Sequence, residues 1–256
     1  MKVALISPFH RSGLSTVTTM LGMTLTWTQR VSTLISYIGD SSIPAILGTP
    51  AIDDKTRSIS QLSKLLTERA IGSEQILEYC VPLAKDLHLM DTTSTILTEE
   101  EKERIIGFVF DQVPTDFVVC ECTGSLEDDV TQSIFNIADV IIMVFEPYKT
   151  QFDGVKEYLN SKLWPKDKHT MLLCNKYDDI IMPLRSISST FGIKHVDMCK
   201  LHYNPWITKM GEAGSLADIL DPILSKDPRV VELNNDLREW MDFFMSLKNS
   251  RVRWGD

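Results

Sequence analysis

A chain of 256 residues, 43% hydrophobic and 24% charged, has ordinary globular composition and is long enough to bury one substantial core, so one large domain is expected. Its formal charge of −9 disfavours unassisted binding to nucleic acid or to an anionic membrane, since both need a concentrated positive patch. The five cysteines (Cys80, Cys120, Cys122, Cys174 and Cys199) are odd in number and three lie in apolar runs, so they read as buried free thiols of a reducing compartment. Cys120 and Cys122 lack the second cysteine pair or nearby histidines that a zinc site needs. With no signal peptide and no apolar run of membrane-spanning length, the expected location is cytoplasmic.

Residues 2–28 read as a buried strand, a tight loop and a helix, with the outline of a phosphate-binding loop. In G-x-x-x-x-G-K-[ST], glycines let backbone N–H groups close around phosphates, a lysine neutralises them and a hydroxyl holds Mg²⁺. Gly13, Ser15 and Thr16 sit where the last glycine and the two hydroxyls belong, but Leu14 stands in the lysine position and Phe9-His10-Arg11 replaces the glycine-rich approach. Residues 31–38 are a second strand, 42–54 a loop, and 59–70 and 73–83 helices, the latter with Ser73 as its N-cap. A short strand follows at 87–90. Thr98 before three glutamates starts a helix that stops at Pro114, because a capping hydroxyl and early carboxylates complement the free N–H groups of a first turn.

Residues 117–120 and 140–145 are continuous apolar runs of the kind buried on both faces of a parallel sheet. A helix over 127–136 connects them, and helix 153–162, strand 170–174 and helix 182–191 continue the alternation. The pattern predicts a doubly wound α/β fold with a mainly parallel sheet and helices on both faces. The last segment, 227–253, has Val230, Leu233, Leu237, Trp240, Phe244 and Leu247 at helical spacing opposite Glu232, Asp236, Glu239 and Asp242. Acids on that face argue for a helix docked on the domain over one lying on a membrane. Lys248, Arg251, Arg253 and Trp254 leave a small basic-aromatic tail for membrane or partner contact.

Four stretches, in order, resemble the ParA/MinD family of deviant Walker A P-loop ATPases, which includes partition proteins and TadZ-like relatives. They are the N-terminal loop, DFVVCECTGSL from Asp116, ADVIIMVFEPYKTQFDGV from Ala138, and MLLCNKYD from Met171. HYNPWITKMGEAGSL, from His202, is similar to the family's proline-containing base-side loop. The resemblance implies a three-layer α/β/α P-loop NTPase fold over residues 1–222, with 223–256 as a C-terminal helix and basic tail on the same domain. It also implies a nucleotide site made of Gly13, Ser15, Thr16, Glu121, Asn175 and Pro205, with Asn175 near adenine, to which Arg11 adds a permanent cation able to grip phosphate with two donors.

Departures from the family pattern weaken catalysis. Phe9 takes the place of the signature lysine that reaches a dimer partner's nucleotide, and Leu14 that of the lysine on the β- and γ-phosphates. Ser36 and Ile38 replace water- and metal-ordering aspartates, Asp40 comes two residues late, and Glu121 is a methylene longer than the family's aspartate. Phosphoryl transfer depends on cations facing the phosphates, so efficient turnover is not expected and no catalytic residue or metal is assigned. The expected function is a pseudo-ATPase scaffold for positioning or assembly, a homodimer with a protein partner, of the kind that accompanies pilus, secretion or conjugation machinery. No cofactor is required, and ATP with Mg²⁺ is the ligand the site allows. Two alternatives stay open. One is an ATP-driven dimerisation switch in which Arg11, a permanent bidentate cation, and Glu121 take over the missing roles. The other is a DNA- or membrane-surface partition protein contacting its target through the tail. His10 and Arg11 also read simply as exposed loop residues, and Ser15 and Thr16 as helix caps.

Overall fold

The computed structural model describes residues 1–27, 32–36, 41–49, 58–84, 86–92, 97–180, 182–191, 197–219 and 227–252. Eight strands form one sheet: β1 (Lys2–Ile6), β2 (Ser32–Ser36), β3 (Val81–Ala84), β4 (Leu87–Asp91), β5 (Phe117–Glu121), β6 (Val140–Phe145), β7 (His169–Tyr177) and β8 (Asp197–His202). Their order is β3-β4-β2-β5-β1-β6-β7-β8. Every neighbouring pair is parallel except β3–β4. Strands β5 and β6 are buried at every position, which is why they read as unbroken apolar runs: helices cover both faces.

The helices are α1 (Leu14–Thr26), α2 (Ile43–Ile46), α3 (Ile59–Thr67), α4 (Glu99–Gln112), α5 (Asp129–Ile137), α6 (Lys149–Asn160), α7 (Leu184–Phe191), α8 (Pro205–Glu212) and α9 (Val231–Val252). Helices α3 to α7 pack into one apolar layer, and α1, α8 and α9 into the other. The three layers follow from the crossovers: the step from β1 to β2 runs one way along the sheet and those from β5 to β8 the other, so right-handed connections place their helices on opposite faces. Central β1 is therefore a switch point, and in such sheets ligands bind outside the carboxyl ends of the strands.

Several expectations are corrected. Residues 42–54 are not simply loop, because Ile43 is buried and starts the one-turn α2; residues 50–54 lie outside the described residues. The expected helix over 73–83 is a 3₁₀ turn at Ser73–Tyr79 followed by edge strand β3, since Pro82 cannot donate within a helix. Its cap is Gly72, not Ser73: the Gly72 N–H donates to Gln75 Oε1 at 3.1 Å. Strand β8 is not assigned from the sequence, and helix α8 lies in the segment likened to a loop, yet both are regular; Asn204 Oδ1 accepts the Trp206 N–H at 2.9 Å ahead of Pro205 at the first helical position. Thr98 does cap α4, with the Glu101 N–H donating to Thr98 Oγ1 and the Thr98 N–H to Glu101 Oε2 at 2.9 Å.

The C-terminal helix lies on β8 and α1. Val230, Leu233, Leu237, Trp240 and Phe244 are fully enclosed, each contributing about 1.5–3 kcal/mol, and the Trp240 indole donates to the Lys200 carbonyl at 3.0 Å. Lys248 is bound into the body by Asp116 at 2.5 Å and lies over the Phe117 ring. Arg253 and Trp254 lie outside the described residues. Cys80, Cys120, Cys122 and Cys174 are buried free thiols and Cys199 is partly buried. Burial pushes Cys80, Cys174 and Cys199 up to about 12 and Cys120 upward as well. Among the described residues no helix is long and apolar enough to cross a membrane, and no metal-binding cluster of three His, Cys, Asp or Glu occurs.

Candidate functional site

The loop from Ser7 to Gly13 joins β1 to α1 at the carboxyl edge of the sheet. Its path needs two left-handed residues, Arg11 at φ 61° and Gly13 at φ 77°. Gly13 is required twice over: a Cβ there would sit 2.3 Å from Asn175 Nδ2. That amide, at the end of β7, donates to the Ser12 carbonyl at 2.7 Å, so one strand end braces the loop of another. Gly124, after β5, closes the other side; a Cβ there would meet the Ser7 carbonyl at 2.7 Å. Tyr158 of α6 donates its hydroxyl to the Gly124 carbonyl.

Glu121 ends β5 beside the loop and is 1% exposed. Its two oxygens accept hydroxyls from different elements, Oε1 from Ser15 at 2.6 Å and Oε2 from Ser41 at 2.5 Å. These residues line an open cleft of about 1010 Å³ with Arg11, His10 and Thr16 at its walls. Among the described residues Arg11 and His10 are its basic lining residues, both exposed. A second cleft of about 330 Å³ shares Gly13 and Thr16 and runs towards Asn175, Lys176, His202 and Asn204. The two form one groove across the carboxyl ends of β1, β7 and β8. At its far end Lys176, also left-handed at φ 51°, pairs with buried Glu146 at 2.6 Å.

Among solved structures, the chain is similar to a ParA family ATPase from Chlorobium tepidum TLS, at 13% identity and a TM-score of 0.69, covering 94% of this chain and 98% of that one. The fold is that of the ParA and MinD ATPases. MinD in the MinC:MinD cell division complex of Aquifex aeolicus aligns at 15% identity and TM-score 0.66, over 95% of both chains. An aspartate-to-alanine variant of McdA from Cyanothece, solved as an ATP complex, aligns at 13% and 0.66, over 94% of this chain and 96% of that one. No protein-family model matches the sequence, and no curated protein matches it.

Within this ParA/MinD fold, the residues expected at a nucleotide site are brought to one groove, with one exception. Arg11, Gly13, Ser15, Thr16 and Glu121 line the larger cleft and Gly13, Thr16 and Asn175 the smaller. Pro205 is exposed at the start of α8 and does not line the groove, whereas its neighbours Tyr203 and Asn204 do. Asn175 is 5% exposed and its amide nitrogen is engaged by the loop. Phe9 turns inward against Gly154 of α6, where an added Cβ would lie 2.7 Å from its ring. Leu14 packs against the apolar layer of α1 and α9. Ser36 stands next to Glu121 in the β2–β5 register; Ile38 and Asp40 lie outside the described residues.

Sequence reasoning missed Ser41, the Glu146–Lys176 pair and the role of Gly154. The serine pair after β2 was the one available sign of the first, and its partner lies 80 positions away. A glycine in the middle of an otherwise ordinary helical pattern, costing about 1 kcal/mol against alanine, was the sign of the last.

Proposed function

We propose that the chain is a ParA/MinD-type pseudo-ATPase: a non-hydrolysing scaffold for positioning or assembly that keeps the nucleotide groove of its fold without the cations that drive turnover. The observation that carries this reading is the fate of the two lysine positions. Leu14 and Phe9, each half-buried against an apolar layer, line the larger cleft as uncharged side chains, so neither position presents charge to a phosphate, and phosphoryl transfer is catalysed chiefly by charge and positioning. A homodimer that docks on a protein partner, in the cytoplasm, fits the fold's use in the MinC:MinD complex. Pilus, secretion or conjugation machinery is the assembly class the sequence resemblance favours.

The groove suits a nucleotide. Backbone N–H groups opening α1 face the larger cleft behind left-handed Gly13, an arrangement that favours phosphate. The hard oxygens of Ser15 and Glu121, already joined at 2.6 Å, fit Mg²⁺, which typically takes one or two protein oxygens and completes its shell with phosphate and water. Bound there, the ion would neutralise phosphate charge. That retained contact favours a second reading, an ATP-dependent dimerisation switch in which Arg11 supplies the missing cation.

Calorimetric titration with ADP and ATP, with and without Mg²⁺, combined with light scattering, separates the two. The scaffold reading expects weak nucleotide binding and an unchanged oligomeric state. A nucleotide-driven dimer that Arg11→Ala abolishes would replace it with the switch.

A further inference from the structure

His202 ends β8 at the far wall of the smaller cleft, and the last helix holds its ring from behind. Nδ1 lies 2.8 and 3.0 Å from the two carboxylate oxygens of Asp236, and the His202 backbone N–H donates to Asp236 Oδ2 at 2.7 Å. Asp236 is 1% exposed, while the imidazole keeps 15% of its surface and lines the cleft. Tyr177 packs on the ring in an edge contact at 5.1 Å. An ionised carboxylate only accepts, so Nδ1 carries the proton, and in the neutral ring Nε2 is then an acceptor. Nε2 has no protein partner among the described residues. Asn175, which lines the same cleft, has its amide nitrogen on the Ser12 carbonyl.

We infer that His202, oriented by Asp236, is a specificity-determining residue of this cleft: Nε2 accepts a hydrogen bond from the exocyclic amine of a 6-aminopurine and disfavours a 6-oxopurine. The inference rests on the nucleotide reading above. With an oxopurine in the same place, a carbonyl oxygen would face the Nε2 lone pair, leaving two acceptors opposed and out of water. Sites that read polar groups discriminate in this way, by on the order of ten-fold or more.

Titrations of the full chain with ADP and with IDP test the assignment. The wild-type chain should bind ADP about ten-fold more tightly than IDP, and His202→Phe, similar in shape without the acceptor, should bind both alike. Asp236→Asn is the sharper variant. The carboxamide oxygen can still accept the His202 backbone N–H while its NH₂ donates to Nδ1, which moves the ring proton to Nε2. That makes Nε2 a donor and should turn the preference towards IDP. Imidazole ¹⁵N shifts report the tautomer in both proteins independently of ligand. A merely structural pair would weaken both nucleotides equally and leave their ratio alone. An ADP-to-IDP ratio near one in the wild type, or one unmoved by both variants, overturns the assignment and leaves the nucleotide cleft standing. Failure of the wild type to bind either nucleotide overturns the cleft reading and this inference with it.

Discussion

At the loop end of the groove, the positions that the sequence resemblance sets at the phosphates carry Phe9 and Leu14, and both side chains pack on the body of the protein. At the β7–β8 end, polar side chains remain and are held by partners from distant elements: Asn175 by the Ser12 carbonyl, Lys176 by Glu146, His202 by Asp236. The difference separates two demands on one cleft. Recognising a ligand needs fixed hydrogen-bonding groups, and these persist. Accelerating phosphoryl transfer needs cations at the phosphates, and among the described residues lining that end exposed His10 and Arg11 are the basic ones. On the pseudo-ATPase reading proposed above, the groove keeps its shape and much of its polarity without the chemistry.

Alkali should break both ends together, because both rest on the same dry sheet. Cys80, Cys174 and Cys199 are held up to about 12 in the folded protein, against about 8.5 for a free thiol. Above pH 9 the unfolded chain loses these protons and the folded one keeps them, so stability falls as pH rises towards 12. The slope approaches about 1.4 kcal/mol per pH unit for each thiol, measurable by denaturant unfolding at pH 8, 9 and 10. A flat profile would place these thiols in water.

Breaking the loop end alone calls for Gly13→Ala. The left-handed backbone and the clash with Asn175 should together cost about 2–4 kcal/mol in urea unfolding, with the Asn175→Ala variant removing part of the penalty. Restoring charge sharpens the contrast instead. Leu14→Lys should raise ADP affinity about ten-fold, about 1.4 kcal/mol, without restoring turnover, since Phe9 still packs on α6; an unchanged affinity by calorimetry would mean the loop does not face phosphate. Least in size, Arg11→Gly should stabilise the fold by about 1 kcal/mol by relieving its left-handed backbone. A loss of stability there would mean that the guanidinium makes a compensating contact.

The sheet was legible in the sequence because buried strands such as residues 140–145 leave a run of apolar residues that no polar position interrupts. Helix α4 was legible because Thr98 and Glu101 cap it locally. Edge strands β3 and β8 were not: β3 alternates between half-buried and exposed positions around Pro82, and β8 is enclosed at only one position, Leu201. The groove was legible where the loop outline and the Asn-Lys pair carry local pattern. Its bracing was not, because Glu121–Ser41, Glu146–Lys176 and His202–Asp236 join residues 80, 30 and 34 positions apart; the first two follow from the strand order and the third from the docking of α9 on β8. Pro205 was misplaced for a related reason: α8 turns it outward and brings Asn204 to the wall instead.

Turnover tests the central claim most directly. With protein in excess over γ-labelled ATP and Mg²⁺, phosphate release should stay at the rate of a buffer control in the wild type and in Ser15→Ala alike. Release well above that control, abolished by Ser15→Ala, would contradict the account and return the groove to the working ATPases.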